Sequence, residues 1–176
     1  MSRAFVKEAD GDAVEDDLPE RQISGEPNYV TARGLVLLRE ELRRLDSACM
    51  ALTGDETLAA KQTRKEIERE LRYFNSRVAS AVVVERGAVH EQAGIGSAVD
   101  VRDEEGAVTR YGIVGEDEAD VGRGLVSWAS PLASALRGHR VGELVSWQRP
   151  DGARELEILS IAALEVPTAG FAARGR

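Results

Sequence analysis

The sequence contains one cysteine, Cys49, so it can form neither an intramolecular disulfide nor a zinc site built from several cysteines. Aromatic residues make up only 5% of the chain, which disfavours the apolar, aromatic-lined pocket that a peptidyl-prolyl isomerase needs. No stretch approaches the roughly 20 apolar residues that a membrane span requires, and residues 1–17 lack the apolar run of a signal peptide. We therefore expect a cytoplasmic protein without a membrane partner.

Positive charge is also in short supply. The chain has 23 Lys and Arg residues against 31 Asp and Glu residues, a formal net charge of -8 and a pI near 4.9. A protein that binds the backbone of a nucleic acid needs a basic face, so direct binding of DNA or RNA is disfavoured. The acidity suits solubility or a basic protein partner.

The sequence does contain two apolar stripes that step by alternate threes and fours, the seam spacing of a coiled coil. The first consists of Leu35, Leu38, Leu42, Leu45, Cys49 and Leu52, and the second of Ile67, Leu71, Phe74, Val78 and Ala81. A short turn between them contains Gly54, Asp55 and Glu56. Helices over residues 32–52 and 56–83 are therefore predicted to fold back as an antiparallel hairpin. The turn then lies at the far end of a rod and carries two carboxylates.

Polar residues mark the predicted helix starts. Thr31 is the predicted N-cap of the first helix, because its hydroxyl can accept from a free N–H of the first turn. Thr53 or Asp55 is the predicted cap of the second helix. Acids at a helix start also stabilise the helix dipole, so a purely structural role for Asp55 and Glu56 stays open.

The hydrophobic period changes to two after Ser97. Strands are predicted over residues 99–102, 108–114, 124–128, 143–148 and 154–161, with one short helix over residues 130–138. Ser130 caps this helix, Pro131 takes its first position and Gly138 ends it.

The fold class predicted from these patterns is α+β, with an N-terminal antiparallel helical hairpin of coiled-coil type followed by a small, mostly antiparallel sheet with one helix. Residues 1–27 are an acidic tail that cannot bury enough apolar surface to offset its ordering entropy, so it is expected to be disordered or loosely docked. The predicted hairpin with its acidic tip occupies residues 28–86, the linker 87–96, the C-terminal domain 97–165 and a flexible tail 166–176.

Several stretches resemble the bacterial GreA/GreB family of transcript-cleavage factors. The hairpin opens with Thr-Ala-Arg-Gly-Leu from Thr31 and Leu-Arg-Glu-Glu-Leu from Leu38. The C-terminal half reads Ile-Val-Gly from Ile113, Ser-Trp-Ala-Ser-Pro-Leu-Ala-Ser-Ala-Leu from Ser127 and Gly-His-Arg-Val-Gly-Glu from Gly138. The resemblance covers residues 28–164, and its C-terminal part is the more specific.

The resemblance implies an FKBP-like C-terminal domain that binds the rim of the secondary channel of RNA polymerase. The partner-binding residues that it implies are Ser130, Pro131, Ala133 and Leu136. The hairpin would reach down the channel, where Asp55 and Glu56 would help to hold a Mg²⁺ of the polymerase active site. The polymerase itself would then cut backtracked RNA. This implies no cofactor of the chain's own, only indirect contact with the RNA 3′ end, a monomeric state and no catalysis by the chain alone.

The tip departs from the family pattern. Asp55 matches the first acid of that pattern, but Leu58 occupies the position of the second. Glu56 is the nearest substitute, yet two residues on a helix separate side chains by about 200°. Ala129 stands where GreB-like sequences have an acid. Two activities therefore compete: stimulation of cleavage, and occupation of the channel without cleavage or against it.

Two functions of other classes also remain open. An FKBP-like fold allows a peptidyl-prolyl isomerase or chaperone, although fold alone does not carry function. The apolar stripes also allow a structural protein that dimerises through a coiled coil. This is the weaker alternative, because the two stripes can pack against each other within one chain.

Overall fold

The computed structural model describes residues 19–85 and 91–165. The predictions for most of the acidic tail, for residues 87–90 of the linker and for the C-terminal tail lie outside the described residues. Within the described ranges, no helix is both long enough and apolar enough to cross a bilayer.

The N-terminal half is the predicted antiparallel helical hairpin. It comprises β1 (Tyr29–Val30), α1 (Ala32–Ala51), α2 (Leu58–Ala79) and β2 (Val82–Val83). The Thr31 hydroxyl accepts from the Gly34 N–H at 2.9 Å, which confirms the predicted cap of the first helix.

The predicted start and end of the second helix are wrong. Thr57, not Thr53 or Asp55, is its N-cap, because Thr57 has an extended backbone and its hydroxyl accepts from the Ala60 N–H at 3.3 Å. The helix ends at Ala79 rather than at residue 83, because β2 leaves it to pair in parallel with β1. This small sheet joins the two helices at the base of the rod.

The two predicted apolar stripes meet between the helices. The fully packed residues of this cluster are Val30, Leu38, Leu45, Tyr73 and Phe74, and the partly buried ones are Leu35, Leu42, Ile67, Leu71, Val78, Ala81 and Val83. Near the tip only the small Ala60 is buried, whereas Met50 and Leu58 are each 73% exposed. The base of the rod therefore gains far more apolar burial than the tip.

The C-terminal half is a five-stranded sheet with one short helix. Its elements are β3 (Ser97–Asp103), β4 (Val108–Val114), β5 (Leu125–Ser127), α3 (Pro131–Leu136), β6 (Leu144–Arg149) and β7 (Gly152–Ala163). The strand order is β5-β4-β3-β7-β6, and every pair is antiparallel except β4–β5. These elements confirm the predicted sheet, mostly antiparallel, with one helix.

The core of the sheet is closed by α3. Val99, Ile113 and Ile158 from three central strands are fully buried, as is Leu136 from α3. Trp128 is 5% exposed in this core. The β1 residue Tyr29 meets it edge to face, with ring centroids 5.1 Å apart, so the base of the rod packs directly on the sheet.

Candidate functional site

The tip of the rod holds the acid that matches the family pattern. Gly54 has φ +86°, a left-handed conformation that lets the chain reverse after α1. Asp55 Oδ1 then accepts from the Thr57 N–H at 3.0 Å. This backbone hydrogen bond lowers the pKa of Asp55, so its exposed carboxylate is already committed to shaping the turn.

Basic side chains neutralise the tip. Glu56 Oε2 lies 2.9 Å from Lys61 Nζ. The Arg64 guanidinium donates to the Leu52 carbonyl at the end of α1. Glu56 lies in the loop before the α2 cap and not on the helix, so its predicted helical position is wrong. Two acids and two bases thus share the end of the rod.

The tip does not by itself form a magnesium site. Mg²⁺ requires near-octahedral oxygen ligands and is usually held through one or two carboxylates with several waters. Here one carboxylate shapes a turn and the other pairs with a lysine. The position of the second family acid is filled by the exposed side chain of Leu58. In residues 19–85 and 91–165, no group of three or more His, Cys, Asp or Glu side chains could hold a metal ion.

Only some of the predicted partner-binding residues on the short helix are exposed to solvent. Ser130 Oγ accepts from the Ala133 N–H at 3.2 Å, and Pro131 is exposed at the first helical position. Ala133 and Leu136 are both 0% exposed, since their side chains fill the sheet core. In this structure these two predicted partner-binding residues support the surface of the helix from within the core. The exposed residues on this helix and at its end are Pro131, Ser134 and Arg137.

A buried polar joint connects the rod to the sheet, and the sequence patterns did not reveal it. It is built on a 3-10 turn of three successive acids, Glu116–Glu118, that follows β4. Arg77 of α2 is 1% exposed, and its Nε lies 2.6 Å from Asp117 Oδ2. Its Nη2 lies 3.0 Å from Glu116 Oε2, and the Tyr73 hydroxyl donates to Asp117 Oδ1 at 2.7 Å.

The third acid of the joint holds the start of the other helix. Glu118 accepts from the Thr31 hydroxyl at 2.7 Å and lies 3.8 Å from Arg33 Nη1. A carboxylate at this position also favours the positive end of the α1 dipole. A Cβ on Gly34 would come within 2.3 Å of Glu118 Oε2, so glycine permits this close approach. All three acids of the turn therefore engage the base of the rod.

The charges of the joint stabilise one another. Burial alone would lower the pKa of Arg77, but the hydrogen bond and charge of Asp117, together with Tyr73 and Glu116, raise it. Burial, followed by the hydrogen bond to Asp117, raises the pKa of Tyr73 to about 12. The joint is therefore stable with the arginine charged and the tyrosine neutral.

Tyr73 is expected to ionise late in an alkaline titration. Its pKa in the folded protein lies near 12 against a reference of 10.0, so its contribution favours folding below pH 10 and is lost as the pH rises towards 12. Absorbance of tyrosinate should show a phase near pH 12 that Tyr73→Phe removes. If Tyr73→Phe leaves the alkaline phase unchanged, the Tyr73–Asp117 contact is not present in solution.

Comparison with known proteins decides the family. The family description "Transcription elongation factor, GreA/GreB, C-term" matches residues 88–163. The chain is 39% identical over 150 residues to transcription elongation factor GreA of Alkalilimnicola ehrlichii, a match that covers 75% of this chain and 95% of that protein. The chain belongs to the GreA/GreB family.

Further members of the GreA/GreB family show the same extent of similarity. Transcription elongation factor GreB of Neisseria meningitidis serogroup B is 32% identical over 156 residues, covering 79% of this chain and 96% of that protein. The solved structure of GreA factor homolog 1 (Gfh1) of Thermus thermophilus is 30% identical and covers 78% of this chain and 100% of that one, with a TM-score of 0.38. About a quarter of this GreA/GreB-family chain lies outside the match to GreA.

Proposed function

We propose that the protein regulates transcription elongation by binding RNA polymerase. The observation that carries this proposal is the match to proteins named transcription elongation factor over nearly their whole length. The protein would act on the polymerase rather than catalyse a reaction itself, as a cytoplasmic monomer without a cofactor of its own.

The proposed mode of binding follows the family resemblance. An FKBP-like C-terminal domain would hold the rim of the secondary channel, and the hairpin would enter the channel. The exposed Pro131 and the half-buried Ser130 are available for such a contact, whereas Ala133 and Leu136 would support that surface from the core. The 20 residues of α1 make a rod of roughly 30 Å, and the joint fixes its direction from the sheet.

The charge balance of the tip favours occupation of the channel over stimulation of cleavage. An acid contributes to a metal site through a free carboxylate and a negative field. Lys61 forms an ion pair with the Glu56 carboxylate, and Arg64 adds a second positive charge near Asp55. Sharing the Mg²⁺ of the polymerase would require Glu56 to leave its lysine, and Leu58 offers no oxygen in its place.

Binding is tested by capture of the full chain on purified core RNA polymerase. Pro131→Glu should weaken binding strongly, because it adds a charge to the proposed rim contact without changing the core. Val108→Glu is the matched control, since Val108 is 60% exposed on β4 and receives the same charge. If the unchanged chain does not bind core polymerase, the proposed function is wrong; if both variants weaken binding equally, the proposed rim contact is wrong.

The role of the tip is tested by one removal and one addition of charge. Asp55→Asn keeps an acceptor for the turn, so stability should change little and any effect on transcript cleavage is electrostatic. Leu58→Glu restores an acid at an exposed position and should raise cleavage of backtracked RNA above that given by the unchanged chain. Strong cleavage by the unchanged chain, abolished by Asp55→Asn, would instead show that the chain stimulates cleavage despite its neutral tip.

A further inference from the structure

One edge of the C-terminal sheet is long and open. In the strand order β5-β4-β3-β7-β6, the strand β6 lies at the end and pairs only with β7. Its six residues, Leu144–Arg149, span about 20 Å of extended chain, whereas β5 at the opposite edge has only three residues. An unpaired sheet edge presents a row of N–H and C=O groups to which another extended chain can bond.

The free backbone groups of this edge belong to alternate residues. The Ile158 N–H donates to the Glu143 carbonyl at 3.0 Å, so Glu143 faces β7. Residues of an antiparallel strand alternate between facing their partner strand and facing away from it, so Leu144, Ser146 and Gln148 direct their N–H and C=O groups away from β7. Across the described parts of the chain, these backbone groups have no hydrogen-bond partner.

Nothing within β6 blocks the addition of a further strand. Its sequence, Leu-Val-Ser-Trp-Gln-Arg, contains neither proline nor lysine, which are common protectors of sheet edges. Leu144 is 66% exposed, and the side chains of Ser146 and Gln148 are exposed as well. An extended chain can therefore reach the edge along its whole length.

A second copy of β6 fits this edge in one register. A two-fold axis perpendicular to the sheet sets two copies of the same strand antiparallel. A hydrogen-bonded pair then requires an outward-facing residue from each copy. With Ser146 opposite Ser146 of the second copy, Leu144 lies opposite Gln148, and all three outward-facing residues of each copy are paired. A shift by two residues in either direction loses one of these three pairs.

The side chains of β6 agree with the same register. Val145 of one copy lies opposite Trp147 of the other, on the face of the sheet that carries the core, and a β-branched residue opposite an aromatic one is a favourable cross-strand pair. Glu143 lies opposite Arg149, so opposite charges meet at both ends of the contact. Both of these charged side chains have exposed local partners, so the charges add complementarity while the backbone carries the contact.

We propose that two copies of the free protein associate through their β6 edges, in this register, into one sheet that is continuous across both copies. Each copy contributes the six residues of β6, whereas a standard interface uses about 20–30 residues a side, so the dimer is weak and dissociates on dilution. The dimer is a state of the free protein and goes beyond the proposed function, in which the monomer is the acting form.

Self-association is tested on the full chain by sedimentation equilibrium. The weight-average mass should rise from 19.1 kDa towards twice that value between about 10 μM and about 1 mM, the range in which weak complexes form. A mass that stays at 19.1 kDa over the whole range would overturn the proposal.

Two substitutions at one position test whether the β6 edge makes the contact. Ser146→Pro should abolish self-association, because it removes an outward-facing N–H and leaves the hydrogen bonds between β6 and β7 in place. Ser146→Ala keeps that N–H and should associate like the unchanged chain. Circular dichroism checks that both variants are folded. Equal association of the two folded variants would overturn the assignment to β6.

An exchange of charge at the two-fold axis tests the register. Ser146→Lys and Ser146→Glu should each remain monomeric, because like charges would lie directly opposite each other, whereas an equimolar mixture of the two should dimerise. Val108→Lys and Val108→Glu are the matched controls, since Val108 is 60% exposed on β4 and lies outside the proposed contact. Each control should associate like the unchanged chain. If the two Ser146 variants associate alone as readily as in the mixture, the register is wrong.

A disulfide trap reports the same register through a distance. In a Cys49→Ser background, Ser146→Cys should cross-link on oxidation with copper-phenanthroline, because directly opposite bonded residues have Cα atoms about 5.5 Å apart, within disulfide range. Gln148→Cys is the control on the same edge. Its counterpart lies four residues along the strand, about 14 Å away, so it should not cross-link. Equal cross-linking at both positions would indicate random collision and overturn the register.

Discussion

Replacement of Arg77 by methionine is expected to destabilise the folded protein by about 3–5 kcal/mol, because it leaves Asp117 buried without its counter-charge. Arg77 is 1% exposed and contacts two acids of the joint, so solvent cannot replace the lost interactions. Urea unfolding followed by circular dichroism measures the change in the free energy of unfolding.

Arg102→Met is the control for the loss of an arginine. Arg102 pairs with Glu157 on the sheet and its side chain is 47% exposed, so this change should cost less than about 1 kcal/mol. Adding Asp117→Leu to Arg77→Met should recover part of the loss, because both buried charges are then absent. Equal effects of Arg77→Met and Arg102→Met would mean that the joint opens in solution.

Replacement of Leu38 by alanine is expected to cost about 2–5 kcal/mol. Leu38 is 1% exposed in the cluster between the helices, so its removal leaves a cavity lined by packed side chains. Leu58→Ala is the matched control at the other end of the rod, where the side chain is 73% exposed and its loss should have little effect. Thermal unfolding of the two variants measures the difference.

The same variant also reports whether rod and sheet unfold together. The joint and the Tyr29–Trp128 contact link the two halves, so the helical and strand signals of Leu38→Ala should be lost in one transition. Loss of the helical signal first, with the Trp128 environment retained, would show that the two halves are stable independently.

Patterns with a short period were predictable from the sequence. The two stripes of the rod, the Thr31 cap, the β3–β4 hairpin and the Ser130-capped helix each depend on neighbours only a few residues apart. The start of α2 was not predictable, because Thr53, Asp55 and Thr57 are all good caps and the reversal at Gly54 decides between them.

The joint could not be predicted from local patterns, since its partners lie between 39 and 87 residues apart in sequence. A run of three acids after β4 is usually a solvated turn, and Arg77 on a charged helix is usually exposed. The sequence indicated the burial of Ala133 and Leu136 only weakly. Small and apolar residues of a short helix that packs on a sheet usually face the sheet. The turn between the helices falls at Gly54, as the sequence predicted, but the pairing of Glu56 with Lys61 depends on a loop conformation that the spacing does not fix.

Because the buried joint holds the rod at its base, a small rotation at the joint produces a larger displacement at the tip. Over a length of roughly 30 Å, one degree of rotation at the base displaces the tip by about half an ångström. Groups that act on a reaction lose effect when they are misplaced by about 1 Å, which corresponds here to about two degrees. Small changes among Arg77, Asp117 and Glu118 are thus magnified at Asp55, so buried residues at the base set the position of a side chain at the far end of the rod.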